Sequence, residues 1–158
     1  QPASLAILEG IPGHETHDSR LKGFLDAIQG APHLTVVASQ PANTERDQGY
    51  NVCQNILQSH PDIQGLFATN DMMALGAVEA IAAAGRKGQV AIVGFDAIDE
   101  ARQAIRDGIM AGSVAQFPDE MGRVAVENAV KVSRGESIPE TIPVKIELIT
   151  KDNVDSVP

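Results

Sequence analysis

Apolar positions along this chain follow two rhythms that alternate. Short aliphatic runs at Leu5 to Leu8, Leu34 to Ala38, Leu66 to Ala68 and Val90 to Val93 are bounded by polar or turn residues, as strands buried on both faces are. Between them, Thr16 to Gln29, Thr44 to Ser59, Asp71 to Ala84 and Asp99 to Arg106 have the polar and apolar mixture of helices. Val52, Ile56 and Leu57 share one helical face, as do Leu75, Val78 and Ile81, because residues three or four apart stack on one side of a helix. Further on, Gly112 to Ala115 reads as another strand and Asp119 to Ser133 as a helix stopped by Arg134-Gly135. Val144 to Ile149 reads as a proline-flanked extended stretch. Such alternation predicts an α/β fold, a doubly wound parallel sheet with right-handed crossovers and helices on both faces.

Polar residues stand just past several strands: Asn70 in Thr69-Asn70-Asp71, Asp96 in Val93-Gly94-Phe95-Asp96, and Gln116 in Ala115-Gln116-Phe117. Open α/β sheets bind ligands at that edge. Asn70, Asp96 and Gln116 offer donors and acceptors together, the mixture that vicinal hydroxyl groups require. Arg20 adds a fixed fork of donors. Asn43 before the second helix, and Asn70 or Asp71 before the third, are of types that cap exposed amides at a helix start.

At 158 residues and 43% hydrophobic content the chain suits one domain of ordinary size. A net charge of -9 with no basic run argues against a nucleic-acid surface, which needs clustered Lys and Arg. Cys53 is the single cysteine, so an intrachain disulfide or a cysteine-based metal site is excluded and a packed thiol is expected. No run reaches the roughly 18 apolar residues of a membrane span. The start at Gln1 has no charged and apolar leader pattern, so a targeting segment is expected to have been removed or never present.

Enzyme signatures are weak. Gly10-Ile11-Pro12-Gly13 has the wrong spacing for a dinucleotide loop, and no Gly-Lys-Ser/Thr follows a strand. His14 and His17 with Glu15 and Asp18 have spacing compatible with a metal site, but a polar helix start accounts for them more simply. His33 and His60 lie beside prolines with no nucleophile at informative spacing, and Asp71 has no carboxylate partner that the sequence identifies. The expectation is a binding protein with no catalytic residues, metal or cofactor.

The stretches Ala38-Ser39-Gln40-Pro41-Ala42, Asn51 through Leu57, His60-Pro61-Asp62, Asn70-Asp71 through Ala77, Val93 through Asp96 and Ala115-Gln116 together cover nearly the whole chain. They resemble the C-terminal lobe of ribose-binding proteins, the sugar-specific periplasmic binding proteins that deliver substrate to ABC transporters. That resemblance implies that Arg20, Asn70, Asp96 and Gln116 hydrogen-bond sugar hydroxyls, with Phe95 beside them. Thr44 stands where the family places an aromatic ring against the sugar; losing that stacking surface leaves ribose as the default ligand and opens the site to other polyols or hexoses. The resemblance also implies that residues 1–116 form one lobe completed by 147–158, while 117–146 belong to a second lobe, the N-terminal lobe, that this chain lacks. Membrane permease subunits are the implied partners, and the location is periplasmic, or extracellular on a membrane anchor. Without the other lobe, Met121, Val124, Ala125 and Val132 need cover, for which a homodimer is one expectation. The effector core of lac repressor family regulators has similar Asn-Asp and Gly-Phe-Asp stretches and is the alternative reading, with a DNA-binding segment upstream. A free-standing interaction domain is a third.

Overall fold

The computed structural model describes residues 2–157. Strands β1 (Ala3–Glu9), β2 (Leu34–Pro41), β3 (Gly65–Ala68), β4 (Ala91–Asp96), β5 (Gly112–Gln116) and β6 (Ile146–Ile149) form one sheet in the order β2-β1-β3-β4-β5-β6. Helices α1 (Glu15–Gln29), α2 (Arg46–Ser59), α3 (Asp71–Ala83), α4 (Asp99–Arg106) and α5 (Pro118–Ser133) alternate with the strands. β1 to β5 pair in parallel, and β6 runs antiparallel to β5 with Gln116 opposite Ile146. The expected all-parallel sheet therefore has one reversed edge strand. Its direction follows from the long excursion of residues 117–145, which returns the chain at the same sheet edge from which it left.

The strand order reverses direction at β1. Right-handed crossovers then place α1 on one face of the sheet and α2, α3 and α4 on the other. The principal core lies on the second face: Cys53, Ile56 and Leu57 of α2 meet Met73, Ala74, Ala77 and Ile81 of α3 above Ala6, Leu8, Leu66 and Ala68 of the sheet. Two glycines set how closely α2 and α3 approach. A Cβ on Gly76 would stand 2.1 Å from the Arg46 carbonyl oxygen, and one on Gly49 would stand 2.7 Å from Met73 Cα. Cys53 is fully buried, and burial pushes its thiol up to about 12, so it is a packing group and not a nucleophile.

The opposite face is thinly covered. No residue of α1 is buried, and its main anchor is Phe24, stacked on Phe67 with ring centroids 4.7 Å apart. Beside it runs an open apolar groove of about 490 Å³ lined by Phe24, Phe67, Val93, Phe95, Val114 and Ile146. Helix α5 has no buried residue either; Met121, Val126, Val130 and Val132 are exposed. No helix among the described residues is long and apolar enough to cross a membrane.

Two local expectations need correction. Asn43 does not cap α2: it and Thr44 occupy left-handed backbone at φ 51° and 70°, the helix starts after Glu45, and Asn43 Nδ2 donates to Gln48 Oε1 instead. The fourth strand runs to Asp96, three residues beyond the aliphatic run, because Gly94, Phe95 and Asp96 continue the ladder opposite Ser113, Val114 and Ala115.

Candidate functional site

The carboxyl ends of β1, β3, β4 and β5 bring the polar residues of the strand exits to one crevice beside the switch in strand order. Asn70 ends the β3 exit in extended backbone (φ -153°, ψ 166°) and caps α3: its Oδ1 accepts from the Met73 amide at 3.0 Å. Its Nδ2 donates to the Thr44 carbonyl at 3.1 Å, which ties the left-handed 43–44 turn to the site. A side-chain amide has a second N–H and a second lone pair, so Asn70 retains bonding capacity for a ligand. Removing both bonds with Asn70→Ala is expected to cost about 1–2 kcal/mol of stability, the usual value of a cap, and urea unfolding measures it.

Asp96 is the hub. Its Oδ1 accepts from Arg20 Nη2 at 3.0 Å and from Gln116 Nε2 at 2.9 Å, neither of which engages Oδ2. Arg20 is held at three points: Nη1 donates to the Thr69 carbonyl at 2.7 Å, Nη2 to Asp96, and the guanidinium lies 3.9 Å from the centre of the Phe95 ring. Its side chain is 9% exposed against 32% for Asp96, so the cation is nearly enclosed while the carboxylate reaches solvent. Phe95 thus supports Arg20 from below, through a cation–π contact, and also lines the apolar groove. Asp96 and Gln116 border a cavity of about 680 Å³ with Ala97, Arg102, Phe117 and Asp119.

His17, Thr69, Asp71 and Ser113 also belong to this region and were not singled out as ligand contacts from the sequence. His17 Nδ1 lies 3.2 Å from Thr69 Oγ1, and its ring fills the space where a Cβ on Gly10 would come within 2.2 Å. Burial, then the neighbouring charges of Arg20 and His14, pull its pKa down, which keeps the imidazole neutral at physiological pH. The His14 and His17 rings lie tilted by 57° with centroids 5.2 Å apart, and among the described residues no group of three or more His, Cys, Asp or Glu is placed to hold a metal.

Asp96 and Ala97 both have positive φ, 111° and 53°, backbone that non-glycine residues rarely adopt. Below them, fully buried, Asp71 Oδ1 accepts from Ser113 Oγ at 2.7 Å and Oδ2 accepts from the Ile98 amide at 2.9 Å. Ser113 Oγ in turn accepts from the Ala97 amide at 3.0 Å. Asp71 is thus enclosed by a hydroxyl and backbone amides, not paired with a second carboxylate for acid–base work. Burial pushes its carboxyl up from 3.8 to about 6. A raised folded-state value means that the stability contributed by protonation is fully present below about 3.8 and lost as pH rises through about 6. Near neutral pH the ionised group therefore works against the fold.

A family model described as "Periplasmic binding protein domain" matches residues 1–137. The ribose import binding protein of Escherichia coli is 44% identical over 149 residues, which is 94% of this chain and 50% of that protein. The D-allose-binding periplasmic protein of the same organism is 38% identical over 85% of this chain and 44% of its own length. A crystal structure of a periplasmic solute-binding protein from Actinobacillus succinogenes with bound D-allose superposes with a TM-score of 0.92. It has 38% sequence identity and covers 99% of this chain and 56% of that one. The chain spans about half the length of the curated relatives it matches, and with its sequence and fold both aligned to theirs it belongs to the periplasmic binding protein family.

Proposed function

We propose that this chain is one lobe of a sugar-capturing component of an ABC importer, and that Arg20, Asn70, Asp96 and Gln116 hold ring hydroxyls of a monosaccharide. The observation that carries this reading is the Arg20–Asp96–Gln116 cluster, a charge-polarised array of donors and acceptors beside Asn70 at the sheet switch point. Charge-assisted hydrogen bonds of this kind contribute about 1.5–3 kcal/mol each, and no step of covalent chemistry is involved. Relatives named for ribose and D-allose support a pentose or hexose as ligand, and Thr44 in place of a ring favours tolerance of the larger sugar.

In this reading, residues 1–116 with 146–158 make the lobe and 117–145 pack on the other lobe; the pairing of Ile146 with Gln116 moves the boundary expected from the sequence by one residue. Exposed apolar residues on α5 fit that assignment and make an intramolecular partner a better explanation than a homodimer. Export to the periplasm or cell surface and docking on membrane permease subunits follow from the same reading. The import and binding names of the relatives weigh against the repressor core.

Calorimetry on the protein with both lobes, titrated with ribose and then D-allose, tests the proposal. Binding of either sugar is the expected result; no heat with any aldose tried would overturn it. The 158-residue chain alone is expected to bind at least about 1,000-fold more weakly, because half the contacts and most of the ligand burial are missing.

A further inference from the structure

We propose that Asp71 and Ser113 are positioning residues for sugar capture: a buried carboxylate–hydroxyl pair, out of the ligand's reach, that holds the Asp96–Ala97 turn in its strained conformation. This rests on the sugar-binding reading of Asp96.

The turn has no glycine to ease its backbone, since φ is 111° at Asp96 and 53° at Ala97. Such a conformation persists where its surroundings over-determine it. Here the restraints converge from three elements. From β5, Ser113 Oγ accepts the Ala97 amide; from the start of α3, Asp71 Oδ2 accepts the Ile98 amide; from α4, Arg102 Nε donates to the Ala97 carbonyl at 2.9 Å. Ser113 and Asp71 are themselves joined at 2.7 Å. Both are 0% exposed, so neither meets a ligand directly.

Gly94 completes the arrangement. A Cβ there would lie 2.1 Å from Asp71 Oδ1, so the strand carries no side chain where the carboxylate sits. A charge that is fully buried weakens a fold unless it is well bonded. An apolar residue at 71 would leave the Ile98 amide and the buried Ser113 hydroxyl without an acceptor. What the carboxylate provides that an apolar residue does not is two acceptors, one for the Ile98 amide and one for the Ser113 hydroxyl that in turn accepts from the Ala97 amide.

The test uses the protein with both lobes and has three arms. Sugar affinity is measured by calorimetry at 25 °C for wild type, Asp71→Asn and Ser113→Ala, with circular dichroism to establish that each is folded. Amide exchange at Ala97 and Ile98 is measured on the wild type alone. We expect both variants to lose at least ~10-fold in affinity while folded, the value of one good bond at a misplaced hub, and both wild-type amides to be strongly protected. A role limited to stability would lower the melting temperature and leave affinity at 25 °C unchanged, which overturns the inference. Should a variant fail to fold, the other carries the affinity arm; should both fail, rapid exchange at Ala97 and Ile98 in the wild type still overturns the brace and slow exchange upholds it. A wild type that binds no sugar would refute the functional reading instead, so the two failures are distinguishable.

Discussion

On the proposed reading, Asp96→Ala in the protein with both lobes is expected to abolish measurable sugar binding and to leave a folded lobe. Two effects add. The ligand loses its charged acceptor, and Arg20, 9% exposed and aimed at Asp96, loses its counter-charge and keeps only the Thr69 carbonyl and the Phe95 ring. At about 1.5–3 kcal/mol for each charge-assisted bond, losing two lowers affinity by roughly 100-fold to 10,000-fold. The fold is expected to survive because the Asp96 side chain is 32% exposed and lies at a strand exit. Alanine at φ 111° adds strain, on the order of 1 kcal/mol, so a drop of a few degrees in melting temperature should accompany the lost binding. Asp96→Gly removes the carboxylate and the strain together and is expected to melt higher than the alanine variant while binding no better. Calorimetry and thermal unfolding on the pair separate the roles; affinity within tenfold of wild type in either variant would place the ligand elsewhere.

Gly76→Ala should be among the most damaging single-methyl additions in the chain. Alanine is the better helix former by about 1 kcal/mol, yet the new Cβ would stand 2.1 Å from the Arg46 carbonyl oxygen and 2.7 Å from the Tyr50 amide nitrogen. Both are backbone atoms of the facing helix segment, so no rotamer change relieves the contact and α2 has to retreat. Overpacking of this sort costs about 1–3 kcal/mol net of other terms, and the collision outweighs the propensity gain. Gly76→Leu is expected not to fold. Gly122→Ala is the internal control: Gly122 lies in α5 with nothing within 4 Å of its missing Cβ, and there the same change should stabilise by about 0.5–1 kcal/mol. Urea denaturation of the two alanine variants would contradict this account if they shifted in the same direction.

Much of this was legible in the chain because the signals are local. Ile7, Leu8, Leu66 and Ala68 are buried in the central strands where aliphatic runs put them, and Ile56, Leu57, Leu75 and Ile81 fill the helix–sheet core as their spacing implied. The polar crevice at the strand exits was readable because Asn70, Asp96 and Gln116 interrupt apolar segments at their ends. Other features depend on partners remote in sequence. The direction of β6 is decided by an excursion of some thirty residues with no strand of its own. The left-handed turns at Asn43-Thr44 and Asp96-Ala97 lack glycine, the usual sign of such backbone. Ser113 gave the faintest signal, a lone hydroxyl in a short strand, and its purpose emerges only when Asp71, 42 residues earlier, is placed beside it.

Gln116 and Ile146 face each other as the last residue before the excursion and the first after it. On the proposed reading, in which residues 117–145 pack on another lobe, two of the backbone crossings to that lobe lie side by side, roughly 5 Å apart at ladder spacing. A pair of adjacent tethers behaves like a hinge plate: it permits an attached body to swing and resists its twisting. On that reading Gln116 lies beside the pivot, where a swing produces little displacement. Its donation to Asp96 Oδ1 then holds whether the attached body is open or shut, so this pair is assembled before any closing motion begins.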